Sequence, residues 1–391
     1  MMCRMLHRDK LTAWLEELSR SERRLIAPQR EGDDAVFKPV ETVDDITLDY
    51  VNTRWPVKEW LFPRSEPVLR YRYVGSSVEL EQPDLGLEPQ VIFGVRPCDA
   101  AGLAILDQVF ITDYEDEFYT RRRSVTTVVG LSCTEPAESC FCTAVGLSPT
   151  SSEGSDMLLT PMGDDGYLVE TLTAKGKQLL WEYGHYFGAG ECGSKDLATK
   201  AIEAKMSRAA TLAQGIGYSE ELFEHPIWTE VARKCVGCGI CAYVCPTCHC
   251  FDVMDDADAW GGIRCRNWDS CAFSLFTRHA SGHNPRPEQD SRYRQRVLHK
   301  FSYFPQNSGR VMCVGCGRCV TDCPVNLDIY AVAQAVLHIG GKPHIDSEEL
   351  HSEPTSGSAT PSHHVEHDGE ELHSEPHARE HNSLTSSKAA S

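Results

Sequence analysis

Two runs of four cysteines constrain this chain more than any other feature. Cys235, Cys238, Cys241 and Cys245 follow the spacing C-x2-C-x2-C-x3-C, with Pro246 next; Cys313, Cys316, Cys319 and Cys323 repeat it, with Pro324 next. Two-residue gaps bend a backbone around a common centre and turn its amides inward. Gly237, Gly239, Gly315 and Gly317 permit the close approach and unusual φ values such a loop needs,. A proline after the fourth cysteine ends the turn and suits the first position of a helix. The spacing is that of paired cubane iron–sulfur sites, in which three cysteines of a run wrap one cluster and the fourth ligates the other.

That pattern assigns one 4Fe-4S cluster to Cys235, Cys238, Cys241 and Cys323, and a second to Cys313, Cys316, Cys319 and Cys245, as in bacterial ferredoxins. Zinc knuckles also use C-x2-C. Cys245-Pro-Thr-Cys248-His249 also spells the c-type haem attachment pattern. Two complete runs ending x3-C-P favour iron–sulfur clusters over both.

Composition supports metal rather than disulfide chemistry. Eighteen cysteines in 391 residues are too dilute for a small disulfide scaffold,. The first residues carry no apolar core of signal-peptide length, and no run approaches the ~18–20 apolar residues of a membrane span. A cytoplasmic setting with reduced thiols is expected, with no membrane association. A net charge of −19 argues against a nucleic-acid surface overall,.

The fold class expected is α+β/α/β in three parts. Residues 1–225 read as an α/β domain with a third cluster site. Residues 226–345 read as a two-cluster bacterial-ferredoxin-like domain with a long insert at 246–312. Residues 346–391, with ten carboxylates against Arg379 and Lys388, read as a disordered acidic His/Ser-rich tail,. In the first domain, 68–74, 91–95, 125–131 and 167–172 are expected strands. Helical spacing is expected over 11–27, over 100–110 starting just after Asp99, over 196–206 and over 219–233.

Cys98 follows one expected strand, and Cys133, Cys140 and Cys142 follow another. In a parallel sheet both strands end on one edge, where binding crevices form. Four converging thiolates there would hold a third 4Fe-4S cluster; zinc or inert packing are the competing readings. Cys248, Cys250, Cys265 and Cys271 in the insert match no ligand spacing and read as packing, with a fourth metal site as the alternative; Cys3 and Cys192 read as incidental. From Arg264 to Arg310 nine bases oppose three acids. They read as counter-charges to clusters or as a dock for an acidic partner rather than as a nucleic-acid patch.

Longer stretches carry a resemblance. KEWLFPRSEPVL (58–69), FGVRPCDAAGLAILD (93–107), VGLSCTEPAESCFCTAVG (129–146), CVGCGICAYVCPTCHCFDV (235–253), RNWDSCAFSLFTRHASGHNPRP (266–287), RQRVLHKFSYFP (294–305) and CVGCGRCVTDCPVNLDI (313–329) cover most of residues 10–340. The chain resembles the dicluster iron–sulfur subunits typified by the beta subunit of soluble nickel–iron hydrogenase/sulfhydrogenase and by the A-type subunit of anaerobic sulfite reductase. The resemblance implies an electron conduit linking a flavin/NAD(P)-binding subunit to a catalytic subunit that handles hydrogen or a sulfur compound. A heterodisulfide-reductase-linked complex is an alternative setting. No dinucleotide fingerprint, P-loop or catalytic triad stands in the sequence, so no substrate site is expected in this chain. A self-sufficient reductase with flavin or substrate near Cys98, and an iron–sulfur nucleic-acid-binding module, are the weaker readings.

Overall fold

The computed structural model describes residues 2–339 except 113, 192, 194 and 209–211, so the expected tail at 346–391 lies outside the described residues. The chain opens with β1 (Met2–Leu6) and α1 (Arg8–Ser19), where Leu11, Trp14, Leu15 and Leu18 form one buried stripe at helical spacing,. The helix ends at Ser19 rather than continuing to 27, because Leu25, Ile26 and Ala27 are buried consecutively in a strand, β2 (Arg24–Glu31). A short buried apolar run satisfies helix and strand patterns alike. After β3 (Asp34–Pro39) come β4 (Ser65–Val74) and β5 (Ser77–Glu81).

β6 (Gln90–Val95) leads directly into α2 (Pro97–Phe110), then α3 (Glu117–Val125) and β7 (Thr126–Leu131). Arg96 is the N-cap of α2 and Pro97 its first residue, so Asp99 lies inside the first turn and does not cap it,. β8 (Met157–Pro161), β9 (Tyr167–Thr171), α4 (Ala174–Glu182), β10 (Phe187–Ala189) and α5 (Lys195–Glu203) complete this half.

Eight strands form one sheet in the order β10-β1-β9-β8-β7-β6-β2-β3. Neighbours β2, β6, β7 and β8 run parallel. Successive β6 residues serve opposite cores: Val91 and Phe93 pack with Trp14 and Leu179, while Ile92 and Val95 pack with Leu103 and Tyr119. Both faces are therefore covered, as parallel strands require.

The cysteine-rich half is mostly short helices: α6 (Glu220–Phe223), α7 (Ile227–Ala232) and α8 (Ile240–Tyr243). The expected single helix over 219–233 is broken at Pro226, which cannot continue the hydrogen-bond ladder,. β11 (Phe251–Ala257) and β12 (Gly261–Trp268) follow, then α9 (Gln289–Leu298), a π-helical turn (His299–Tyr303), α10 (Phe304–Ser308), α11 (Arg318–Thr321) and α12 (Ile329–Ile339).

A second, antiparallel sheet in the order β11-β12-β4-β5 joins the insert to the N-terminal half. β4 is a strand, as expected, yet its partner is β12 rather than the large sheet. Arg266 on β12 donates through Nε to Glu66 on β4 at 2.8 Å and also pairs with Asp116, the cap of α3. Cys98, Ala101 and Ile105 of α2 pack against Phe304, Met312, Val314 and Cys316, sealing the two halves together.

Candidate metal centres

The two cysteine runs fold against one another so that their last members cross over. One cavity is lined by Cys235, Cys238 and Cys241 together with Cys323 of the second run. A second is lined by Cys313, Cys316 and Cys319 together with Cys245 of the first run. Gln289 Nε2 donates to Cys235 Sγ, and the Leu327 N–H donates to Cys323 Sγ, both at 3.2 Å. Gly315 and Gly317 have φ of 61° and 78°, and a β-carbon on either would overlap the 139–142 backbone or the Ser139 hydroxyl. Only glycine serves there.

That overlap marks where the third cysteine group lies. Parallel β6 and β7 end on one edge, bringing Cys98, in the first turn of α2, beside Cys133. Cys140 and Cys142 complete the lining of a third cavity, whose wall also includes Gly315 and Cys316. The Phe141 N–H donates to the Gly315 carbonyl at 2.8 Å, and Asn52 Nδ2 to the Cys316 carbonyl at 2.8 Å. Burial pushes the Cys98 thiol well above its ordinary value and Asp99 adds to the rise, outweighing the lowering by Arg318,.

The charges around the second cavity are unusual. Lys58, Arg296 and Lys300 are 2%, 4% and 3% exposed, and none has a carboxylate partner among the described residues. Lys300 Nζ donates to Cys245 Sγ at 3.3 Å, Arg296 Nη1 to Cys248 Sγ at 3.5 Å, and Lys58 Nζ to the Cys248 carbonyl at 2.6 Å. Burial alone lowers the Lys300 ammonium, but the Cys245 and Cys248 sulfurs outweigh it and raise it. Lys58 is brought down to about 8 by burial.

Arg296 and Lys300, which line this cavity without carboxylates, call for an anionic occupant, since a buried uncompensated charge costs several kcal/mol,. An anionic cluster with thiolate ligands supplies that charge. A single ion fits less well: among the described residues no three His, Cys, Asp or Glu side chains converge tightly enough to hold one. Zinc with sulfur ligands at ~2.3 Å requires that tightness.

Lys58 escaped the sequence reading, whereas Arg296 and Lys300 are among the insert's bases read there as counter-charges. Arg296 and Lys300 stand four apart, one α-helical face, but their common target is visible only in three dimensions. The insert's other bases have other partners: Arg292 donates to the carbonyls of Ala272 and Arg286, Arg294 to that of Phe223, and Arg264, Arg266 and Arg310 pair with carboxylates.

Of the cysteines expected to pack, Cys248 Sγ accepts from Arg296 Nη1, Cys250 immediately precedes β11, and Cys265 stands on β12 opposite Met254. Cys3, read as incidental, is disulfide-bonded; Cys192 lies outside the described residues. The sixteen other described cysteines are free thiols.

Crossed cysteine runs around neighbouring cavities are the plan of a dicluster iron–sulfur protein, and a family described as a 4Fe-4S dicluster domain matches residues 234–327. Sulfhydrogenase 2 subunit beta of Pyrococcus furiosus is 34% identical over 319 residues, spanning 80% of this chain and 92% of that protein. The chain belongs to that family of dicluster iron–sulfur electron-transfer subunits. No solved structure matches it. Among the described residues, no helix is long and apolar enough to cross a membrane.

Proposed function

We propose that this chain relays electrons within a multi-subunit oxidoreductase of hydrogenase or sulfur-reducing type. It links a flavin/NAD(P)-binding subunit to a catalytic subunit, in the cytoplasm, without a substrate site of its own. Cys235, Cys238, Cys241 and Cys323 hold one 4Fe-4S cluster; Cys313, Cys316, Cys319 and Cys245 hold the second; Cys98, Cys133, Cys140 and Cys142 hold a third. The clusters supply one-electron redox chemistry.

The observation that carries the reading is that the cavities share walls. Cys319 and Arg296 line both the first and the second, while Gly315 and Cys316 line both the second and the third. The first reaches the surface at exposed Cys238. Such a row suits transfer through the chain better than catalysis at one point. The chain's own residues fix the thiols, aim Arg296 and Lys300 at the middle cavity, and exclude water from it. The relative's printed name, a sulfhydrogenase subunit, supports the hydrogenase or sulfur-linked setting. A sulfite reductase or heterodisulfide-reductase-linked complex would use the same relay.

Iron quantification on anaerobically purified protein tests this. About twelve irons per chain are expected, four per cubane, falling to about eight in Cys133→Ser. About eight in the wild type removes the third cluster, and an iron-free chain removes the relay. Flavin retained by the isolated chain would instead favour a self-sufficient reductase.

A further inference from the structure

α9 turns one face towards the first cavity. Gln289, Tyr293 and Arg296 follow one another at a spacing of four and then three residues, which places them on one side of a helix,. Gln289 Nε2 donates to Cys235 Sγ at 3.2 Å, and Arg296 Nη2 to the Cys241 carbonyl at 2.7 Å. Both bonds end on the loop that wraps this cavity. Tyr293 and Arg296 themselves line it, together with Cys235, Cys238, Cys241 and Cys323.

Tyr293 is 5% exposed, and its hydroxyl is buried with no hydrogen-bond partner among the described residues. A phenol that gives up its hydration without a new bond destabilises the fold, so an orphan on a cavity wall points to an acceptor inside the cavity. Apart from the cysteines, the wall supplies no acceptor side chain: Val236, Ala272, Val325 and Leu327 are apolar, and Arg296 is a donor,. Burial raises the phenol, outweighing Arg296, and so keeps its proton available for donation,. No other tyrosine among the described residues lines any of the three cavities.

We propose that the Tyr293 hydroxyl donates a hydrogen bond to the 4Fe-4S cluster of the first cavity, at a sulfide or a ligating sulfur, and raises that cluster's reduction potential. This rests on the cluster assignment above. An added electron makes the cluster more negative, and a donor bonds that state more strongly, so reduction becomes more favourable. The electron enters alone: the phenol keeps its proton, and no covalent bond forms or breaks. The first cavity reaches the surface at exposed Cys238, so the donor acts where electrons enter or leave the row. Tyr293 thereby biases an electron towards that end of the relay.

Full-length protein, purified anaerobically and assayed for iron, is titrated by potential with electron paramagnetic resonance, as wild type and as Tyr293→Phe, which removes only the hydroxyl. At a fixed potential the ratio of reduced to oxidised first cluster should fall roughly five-fold in the variant, the size of one ordinary net hydrogen bond, with the other midpoints unmoved. Cys238→Ser, a ligand change in the first cavity, identifies that cluster's midpoint by shifting or abolishing it. Electron–nuclear double resonance in water and in deuterium oxide should show an exchangeable proton coupled to the reduced cluster in wild type and missing in Tyr293→Phe. A packing role would move neither reading. In iron-loaded Tyr293→Phe, either an unchanged midpoint or an unchanged proton spectrum overturns the inference. Should the variant fail to fold or to load iron, wild type carrying ring-deuterated tyrosine decides: a deuteron coupling at the cluster is expected, and its absence overturns the donor. Iron-free wild type would remove the cluster reading itself, and this inference with it.

Discussion

Lys300 is where one side chain has the largest bearing on the proposed chemistry. Its ammonium is buried, donates to Cys245 Sγ and Thr247 Oγ1, and meets no carboxylate among the described residues. A fixed cation beside a cluster ligand favours the more negative, reduced state. Lys300→Met, which keeps the bulk and removes the charge, should move the middle cluster to a more negative potential by tens of millivolts, on the order expected of one nearby charge. Anaerobic redox titration followed by electron paramagnetic resonance measures this; an unchanged potential would show that the cation is only structural. Cysteine types and spacings are local and legible in the sequence, whereas Lys58, Arg296 and Lys300 come from three separate positions and gain meaning only by convergence.

Two elements fix how the halves meet. The first turn of α2 carries Asp99, and α11 carries Arg318; their buried ion pair is bidentate, at 2.6 and 2.8 Å, with Arg318 also donating to Thr53. It joins the third cysteine loop to the second cysteine run. Asp99→Ala leaves a buried guanidinium without its carboxylate and should cost about 3–5 kcal/mol, read as a lowered unfolding midpoint in denaturant under anaerobic conditions. A loss below about 1 kcal/mol would mean that neighbouring thiolates or clusters already neutralise Arg318. The π-helical turn at His299–Tyr303 is a second such element. It carries Lys300 between α9 and α10, and its wider winding leaves no periodicity signal in a short segment,.

Across the whole molecule, two histidines impose a pH limit. His249 and His299 lie with ring centroids 5.8 Å apart, and burial holds each down to about 4. An unfolded histidine titrates near 6.5. The unfolded chain therefore takes up these protons first, so their stability contribution is full above about pH 6.5 and is lost as pH falls towards 4. At pH 5.5 each histidine should cost on the order of 1 kcal/mol. Thermal unfolding at pH 7.5 and 5.5 should show a drop in wild type that shrinks in His249→Gln/His299→Gln. Equal drops in both proteins would assign the acid sensitivity elsewhere.

Local order along the chain settled much. Cysteine spacing specified the thiol groups, alternating and buried apolar runs specified β6, β7 and β9, and the ends of two expected strands pointed to Cys98 and Cys133 on one sheet edge. Where a local pattern was ambiguous, tertiary burial chose: Leu25–Ala27 became a strand because both of its faces are covered. Pairing was likewise beyond local reach, since β4 finds β12 nearly two hundred residues away. The same holds for the row of cavities. Spacing determines which backbone can wrap a centre, but only packing decides which cysteines share a wall and which buried cations face them, because Coulomb and packing energies depend on distance in space rather than along the chain.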